Sequence, residues 1–398
     1  MAMTSALHRS IIVWVGVIAA CSNPAAAAKF EKCFAHIRAD ALKAGISADI
    51  VNAAFRDIKY DEKAVRFSRT QPEYRLAIWD YLAFLVDDAR IADGLRMMKA
   101  HQQTLHDIER TYGVNRFILA ALWGIESDYG REKGDFFLPE ALSNVACAGR
   151  KAAVYETELM RALRIVAAGD VRLADLNGSW AGAFGQTQFM PSTYLRLAVD
   201  FDRDGRRDTI HSVADALAST ANFLKKAGWQ SGLPWGFEVK VPRSYSGPVG
   251  RARKSAISQW AKRGISPADG SALPTTGSYA LIRPAGRSGP AFLVSRNFDA
   301  LYSYNAAESY ALAIGHLSDR LNGKGAFKTA WPTDDPGLSR VQRKRLQELL
   351  IEKGYYKGEA DGRFGPQTIA AIKEAQKKAG LKPTGRPGTG ILNVLAGK

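Results

Sequence analysis

The stretch Phe117-Ile118-Leu119-Ala120-Ala121-Leu122-Trp123-Gly124-Ile125-Glu126-Ser127 is apolar on nearly every face of a helix. Such a helix has no side to offer water, so other elements must enclose it, and any fold for this chain is built around it. It carries one carboxylate, Glu126, near its C-terminal end. Burial disfavours the charged form of a carboxyl and raises its pKa, which a general acid working near neutral pH requires. The position equally suits a glutamate at a frayed helix end, exposed or bonded to Ser127. The segment alone leaves both readings open.

The chain has 398 residues, enough for two or three domains at roughly 100–200 residues each. A hydrophobic share of 46% excludes a disordered or fibrous chain. Helical spacing of apolar residues marks 114–127, 155–168 before Gly169, and 215–227 before Gly228, with glycine where a left-handed cap is needed. From 236 to 300 the texture changes: 237–241, 279–283 and 291–295 read as short strands between Gly/Pro/Ser-rich loops. A helix resumes at about 306–321. The expected fold class is mainly α (α+β), a helical domain carrying a small β-sheet.

His8 and Arg9 precede the apolar run from Ile11 to Ala20, and small residues follow at Ala25 to Ala28. This is the layout of a signal peptide over 1–28, and the run falls short of the roughly 20 apolar residues that cross a bilayer. Ala26-Ala27-Ala28 offers an A-x-A cleavage site, while Ile18-Ala19-Ala20-Cys21 fits a lipobox in which Cys21 is acylated. Either way the chain is expected to leave the cytoplasm. Cys33 and Cys147 then remain as an even pair, suited to a disulfide in an oxidising compartment or to two buried thiols. A net charge of +16 favours a polyanionic partner: nucleic acid, acidic wall polymer or anionic lipid. Basic residues are spread along the chain, so charge alone does not choose, and nucleic acid conflicts with export.

A second segment, Gly178-Ser179-Trp180-Ala181-Gly182-Ala183-Phe184-Gly185-Gln186-Thr187-Gln188-Phe189-Met190-Pro191-Ser192-Thr193-Tyr194, suits close approach of a ligand. Its small residues expose backbone, Ser179 and the glutamines offer hydrogen bonds, and Phe189, Met190 and Tyr194 offer apolar faces to sugar rings. It reads equally as a tight turn before a helix opened by Pro191. It holds no carboxylate, whereas ordinary glycosidases use two. Further on, Asp200-Phe201-Asp202-Arg203-Asp204-Gly205 begins like a calcium loop, but His211 stands where a bidentate glutamate is usual. Ser212-Val213-Ala214-Asp215 reads as a variant capping box. Beyond a Pro-containing linker, Asp361-Gly362-Arg363-Phe364-Gly365 and Thr384-Gly385-Arg386-Pro387-Gly388 repeat, each ahead of an apolar pair, Ile369/Ile372 and Leu392/Leu395. With 341–353 ahead of them, three helices result, a small rigid binding unit.

Gly124-Ile125-Glu126-Ser127-Asp128-Tyr129-Gly130 combined with 181–192 resembles the lytic murein transglycosylase B family. Pro72-Glu73-Tyr74 through Trp79-Asp80-Tyr81, the aspartate loop, and Tyr304-Asn305 with Tyr310 follow in the family's order, over about 30–322. The resemblance implies a lysozyme-like catalytic core with Glu126 as the single acid and base, cutting glycan strands of peptidoglycan to 1,6-anhydromuramyl ends. It implies a cleft lined by Ser179, Gln188, Phe189, Met190, Tyr304, Asn305, Tyr310 and Tyr81. Phe223 stands where relatives carry tyrosine, and Ala307 replaces a common serine. A structural Ca2+ would involve Asp200, Asp202, Asp204, the Arg206 position and Asp215, with Arg206 and Arg207 weakening it. No cofactor is required for the chemistry.

Residues 339–398 resemble the peptidoglycan-binding domain through Leu346-Gln347, Gly354-Tyr355-Tyr356, the Asp361 turn, Thr368 and Ala375-Gln376. The expected organisation is a signal peptide at 1–28, a catalytic domain at 29–325, a linker at 326–338 and the binding domain at 339–398. Peptidoglycan is the expected partner of a monomer in the periplasm, with a membrane only through lipidation at Cys21. A hydrolytic muramidase and a non-catalytic wall-binding scaffold are the competing readings. Zinc chemistry lacks support, since the six histidines show no ligand spacing.

Overall fold

The computed structural model describes residues 24–69, 76–149 and 151–398. The leader as far as residue 23, with Cys21, and Pro72-Glu73-Tyr74 lie outside the described residues. Among the described residues, no helix is long and apolar enough to cross a membrane.

The all-apolar segment is the central helix, Arg116–Ser127, opened by Asn115, whose Oδ1 accepts from Phe117 N at 2.9 Å. Every residue from Ile118 to Gly124 is buried. Helices Asp88–Ala100, Gln102–Tyr112, Val213–Lys226 and Glu308–Leu321 enclose it, as an unbroken apolar surface demands. A second core lies among Pro24–Lys43, Ala48–Ala54, Leu138–Ala148, Ala152–Ala167 and Pro191–Leu197, around Leu142, Leu159, Phe184 and Tyr194. There a disulfide joins Cys33 to Cys147 across a sequence separation of 114.

Strands β1 (Phe136–Phe137) and β2 (Asn177–Gly178) form a small antiparallel pair. The remaining strands are β3 (Gly236–Lys240), β4 (Ser255–Ala256), β5 (Ser266–Pro267), β6 (Ser278–Ile282) and β7 (Ala291–Val294), in the antiparallel order β4-β6-β7-β3-β5. Alternation on β7 serves two cores. Phe292 and Val294 face the helices, while Ala291 and Leu293 join Trp260 and Tyr245 on the other side.

The helix expected from 306 begins later. Helix Arg296–Asn305 ends at Ala306, whose φ of +48° is left-handed, and Glu308–Leu321 starts afresh. Two helices thus meet at a bend that places Tyr304 and Tyr310 on either side of it.

The C-terminal unit packs Arg340–Glu352, Pro366–Lys378 and Thr389–Leu395 around Leu346, Leu350, Ile372, Leu392 and Leu395. Ile369, by contrast, stays 38% exposed. The repeat has common wiring. Gln347 accepts from Gly362 N and donates to the Arg363 carbonyl at 3.0 Å; Gln376 accepts from Gly385 N and donates to the Arg386 carbonyl at 3.2 Å. The arginine of each turn reaches the large helical region: Arg363 pairs with Glu132 at 2.9 Å, and Arg386 with Asp80 at 2.6 Å. The stretch before the unit is also packed down. Lys328 N and Thr329 N donate to Glu238, and a Cβ on Gly337 would lie 2.7 Å from Asp80 Cα.

Candidate active site

Glu126 occupies the last turn of the central helix, and the way that helix ends fixes its place. Asp128 and Tyr129 both have left-handed backbone, φ +50° and +61°, a conformation that costs a non-glycine residue about 1–3 kcal/mol and persists only where surroundings enforce it. The Tyr129 hydroxyl donates to the Arg90 carbonyl at 3.0 Å, and its ring meets Trp123 edge-on at 5.6 Å. Gly124 makes room for that ring, since a Cβ there would lie 2.6 Å from it. Asp128 is gripped by Arg131, Arg340 and Arg90.

Ser127 is buried, and its hydroxyl donates to the Gln186 carbonyl and accepts from Gly130 N at 2.9 Å. It does not cap Glu126; it fastens the central helix to the segment 178–190. That segment is a tight double turn. Phe184 and Phe189 exchange backbone hydrogen bonds at 3.0 Å, and the Ser179 hydroxyl accepts from Ala183 N at 3.0 Å. Gln188 has φ +53°, and its Nε2 donates to the Lys133 and Gly185 carbonyls, each at 2.9 Å. The amide nitrogen of Gln188 therefore holds the turn in shape.

Aromatic rings complete the site. The Tyr304 hydroxyl donates to the Thr187 carbonyl at 2.6 Å, and its ring lies 4.8 Å from Phe223, 6.0 Å from Phe189 and 6.2 Å from Tyr310. The Tyr310 hydroxyl donates to Glu126 Oε1. Tyr81, on helix Ile78–Leu85, is near enough to Tyr310 to push its ionisation upward. Met190 precedes Pro191 at the N-cap of Pro191–Leu197, and Asn305 is exposed at the end of its helix.

Glu126 lies beside these rings, open to solvent on a small part of its surface. Burial pushes its carboxyl from 4.5 up to about 7, and the Tyr310 hydrogen bond restrains the rise. No neighbouring carboxylate among the described residues contributes to that shift. At neutral pH protonated and ionised forms coexist, so one residue can donate and accept in turn.

In the aspartate loop, carboxylate oxygens of Asp200, Asp202 and Asp204 lie within 4.8 Å of one another. Asp200 Oδ1 is buried without a hydrogen-bond partner, an oxygen that a hard cation would satisfy. Those three residues fit calcium. Asp215 stands apart in function: it is wholly buried and accepts from Phe201 N at 2.7 Å and Asp208 N at 2.8 Å, clamping the loop backbone. The Ser212 hydroxyl accepts from Asp215 N at 3.2 Å, the capping contact. The Arg206 guanidinium donates to the Asp170 carbonyl at 3.2 Å, and His211 pairs with Asp175 at 3.3 Å.

Residues 29–319 match the transglycosylase SLT domain family, and 339–395 match a peptidoglycan binding domain family. Membrane-bound lytic murein transglycosylase B of Escherichia coli is 30% identical over 239 residues, which cover 59% of this chain and 64% of that protein. The match thus spans somewhat under two thirds of the relative's length. Among solved structures, SltB3 from Pseudomonas aeruginosa in complex with NAG-anhNAM-pentapeptide superposes with a TM-score of 0.75 at 38% identity, covering 92% of this chain and 99% of that one. Escherichia coli lytic transglycosylase Slt35 in complex with calcium gives a TM-score of 0.63 at 25% identity, covering 74% of this chain and 92% of that one. With its helical core built around Glu126 and a wall-binding unit packed at its C-terminus, the chain belongs to the transglycosylase SLT domain family.

Proposed function

We propose that this protein is a lytic transglycosylase that cuts the bond between N-acetylmuramic acid and N-acetylglucosamine in peptidoglycan. The observation that carries the reading is a single carboxyl poised at about 7 with a tyrosine hydroxyl as its partner. Protonated Glu126 donates to the bridging oxygen as the bond from C1 breaks, leaving an oxocarbenium-like centre or an oxazolinium formed by the sugar's acetamido group. Ionised Glu126 then takes the proton from the muramyl C6 hydroxyl, whose oxygen closes on C1. The 1,6-anhydro end forms without water, so one carboxyl suffices. The anhydromuramyl ligand held by the SltB3 relative supports this outcome over hydrolysis. Met190, Tyr304 and Asn305 supply the sugar-facing surface, buried Phe189 backs the Tyr304 ring, Ser179 and Gln188 shape the turn beneath it, and Tyr81 flanks Tyr310.

Mass spectrometry of fragments released from purified peptidoglycan tests the assignment. Anhydromuramyl ends are expected from the wild type and not from Glu126→Gln. Reducing ends would make the protein a hydrolase, and full release by Glu126→Gln would remove the residue from the mechanism.

Asp200, Asp202 and Asp204 are assigned a structural calcium, a role supported by the orphaned Asp200 oxygen and by the calcium in the Slt35 relative. A melting temperature unchanged by millimolar calcium, in wild type and Asp200→Asn alike, would refute it. The leader assigns the protein to the periplasm, with Cys21 a candidate lipid anchor.

A further inference from the structure

Arg340 opens the first helix of the C-terminal unit, yet its guanidinium points into the catalytic region. Its Nε lies 3.1 Å from Asp87 Oδ2, its Nη2 donates to Asp87 Oδ1 at 3.2 Å, and its Nη1 donates to Asp128 Oδ1. The Arg340 backbone N–H adds a bond to Asp87 at 2.9 Å. These groups are largely closed to solvent, with side-chain exposures of 4% for Asp87, 12% for Asp128 and 20% for Arg340. Burial would raise Asp87; hydrogen bonds from Arg340 and from Arg90 N outweigh it and hold the carboxylate low. Buried Arg90, 3.5 Å from Asp128, gives its own hydrogen bonds to the Leu85 and Phe84 carbonyls. Asp87 therefore depends on Arg340 for its only direct ion pair among the described residues.

Asp128 is the first of three consecutive left-handed residues, with Tyr129 and Gly130, at the end of the helix that carries Glu126, two positions after it. Its carboxylate is the handle by which that exit is held. One of its grips comes from a residue 212 positions away, in a different structural unit.

We propose that Arg340 makes the wall-binding unit a part of the catalytic framework: docked, it locks the Asp128–Tyr129 exit and so positions Glu126. The inference rests on the transglycosylase reading above. Arg340 is a positioning residue, acting through Asp128 and never touching the glycan. One consequence separates this from simple tethering. A tether alters capture of an insoluble substrate, whereas a lock alters turnover of any substrate, including one too short to reach the binding unit.

The test uses the full chain and a soluble, uncrosslinked glycan oligomer, with anhydromuramyl product read by mass spectrometry. Arg340→Ala is expected to lower kcat about ten- to a hundredfold with KM nearly unchanged, the scale on which small misplacements of a catalytic group act. Arg340→Lys keeps a cation beside Asp87 but cannot fork to both carboxylates, and is expected to fall between. Arg363→Ala removes only an exposed pair with Glu132 and should match the wild type. A folded Arg340→Ala protein with wild-type kcat would overturn the proposal. Should that variant not fold, Arg340→Lys decides alone: wild-type kcat refutes the lock, and a kcat deficit at unchanged KM supports it. Failure of the wild type to make anhydromuramyl ends would refute the function instead, and is read independently of any Arg340 variant.

Discussion

Replacing Glu126 by glutamine should stabilise the protein, and only above acidic pH. The carboxyl titrates near 4.5 in an unfolded chain and at about 7 in the fold. Between those values the folded state holds a proton that the unfolded state has lost, so wild-type stability falls as pH rises through the window and levels off beyond it. At about 1.36 kcal/mol for each pH unit of separation, ionising Glu126 in place costs about 3 kcal/mol, an upper figure because solvent reaches part of the group. Glutamine keeps an oxygen to accept from Tyr310 and never ionises. Urea unfolding of both proteins at pH 4, 6 and 8.5 isolates the effect, because every other titrating group is common to the two and cancels. The expected stability gap is near zero at pH 4 and reaches about 2–3 kcal/mol, in favour of Glu126→Gln, at pH 8.5. A gap that stays constant across this range would refute the claim that burial holds the carboxyl protonated.

Tyr310→Phe removes the donor that restrains Glu126, so the pKa should climb further. With a hydrogen bond to a charged group contributing about 1.5–3 kcal/mol, the alkaline limb of the pH–rate profile should move up by about one pH unit or more; an unmoved limb contradicts the pairing. Cys33→Ser opens a covalent loop across 114 residues and should cost about 2–5 kcal/mol, with the wild type in reductant showing the same loss. Ala307 is the N-cap of Glu308–Leu321, with φ −131° and ψ 130° and no side-chain cap. Ala307→Ser should therefore add about 1 kcal/mol in urea unfolding, and no gain would mean the first turn is already satisfied.

The features legible in the sequence were those with a local cause. The central helix announced its burial because no face of 117–125 is polar, and only its start differed, since Asn115 caps where continuation was expected from 114. Three strands of the sheet carried apolar runs, whereas β4 and β5 are two residues each and exist only through their partners. The break at Ala306 gave no sign, because alanine is a helix former and its left-handed backbone is imposed by packing. In the site, the residue types were visible and the wiring was not. Ser127 looked like a partner for Glu126, but its hydroxyl serves the Gln186 carbonyl 59 positions away. Asp215 read as a closing calcium ligand or a helix-capping residue, and its oxygens accept the backbone N–H groups of Phe201 and Asp208, wiring that the sequence did not announce. Periodicity carries no information about contacts such as Tyr310 with Glu126, 184 residues apart; the family resemblance alone pointed there.

The Cys33–Cys147 bond closes a ring of chain that contains Glu126 and excludes the segment 178–190. One bank of the cleft thus lies inside a covalent hoop and the other outside it. Beside the β1–β2 pair, a short seam of hydrogen bonds stitches the banks together: Ser127 to the Gln186 carbonyl, Gln188 to the Lys133 carbonyl, and Lys133 to the Ile210 carbonyl. Tyr304, itself outside the hoop, braces the far bank through the Thr187 carbonyl. Any opening between the two banks therefore has to break this seam and the β1–β2 pair, while the disulfide keeps the bank that carries Glu126 covalently closed.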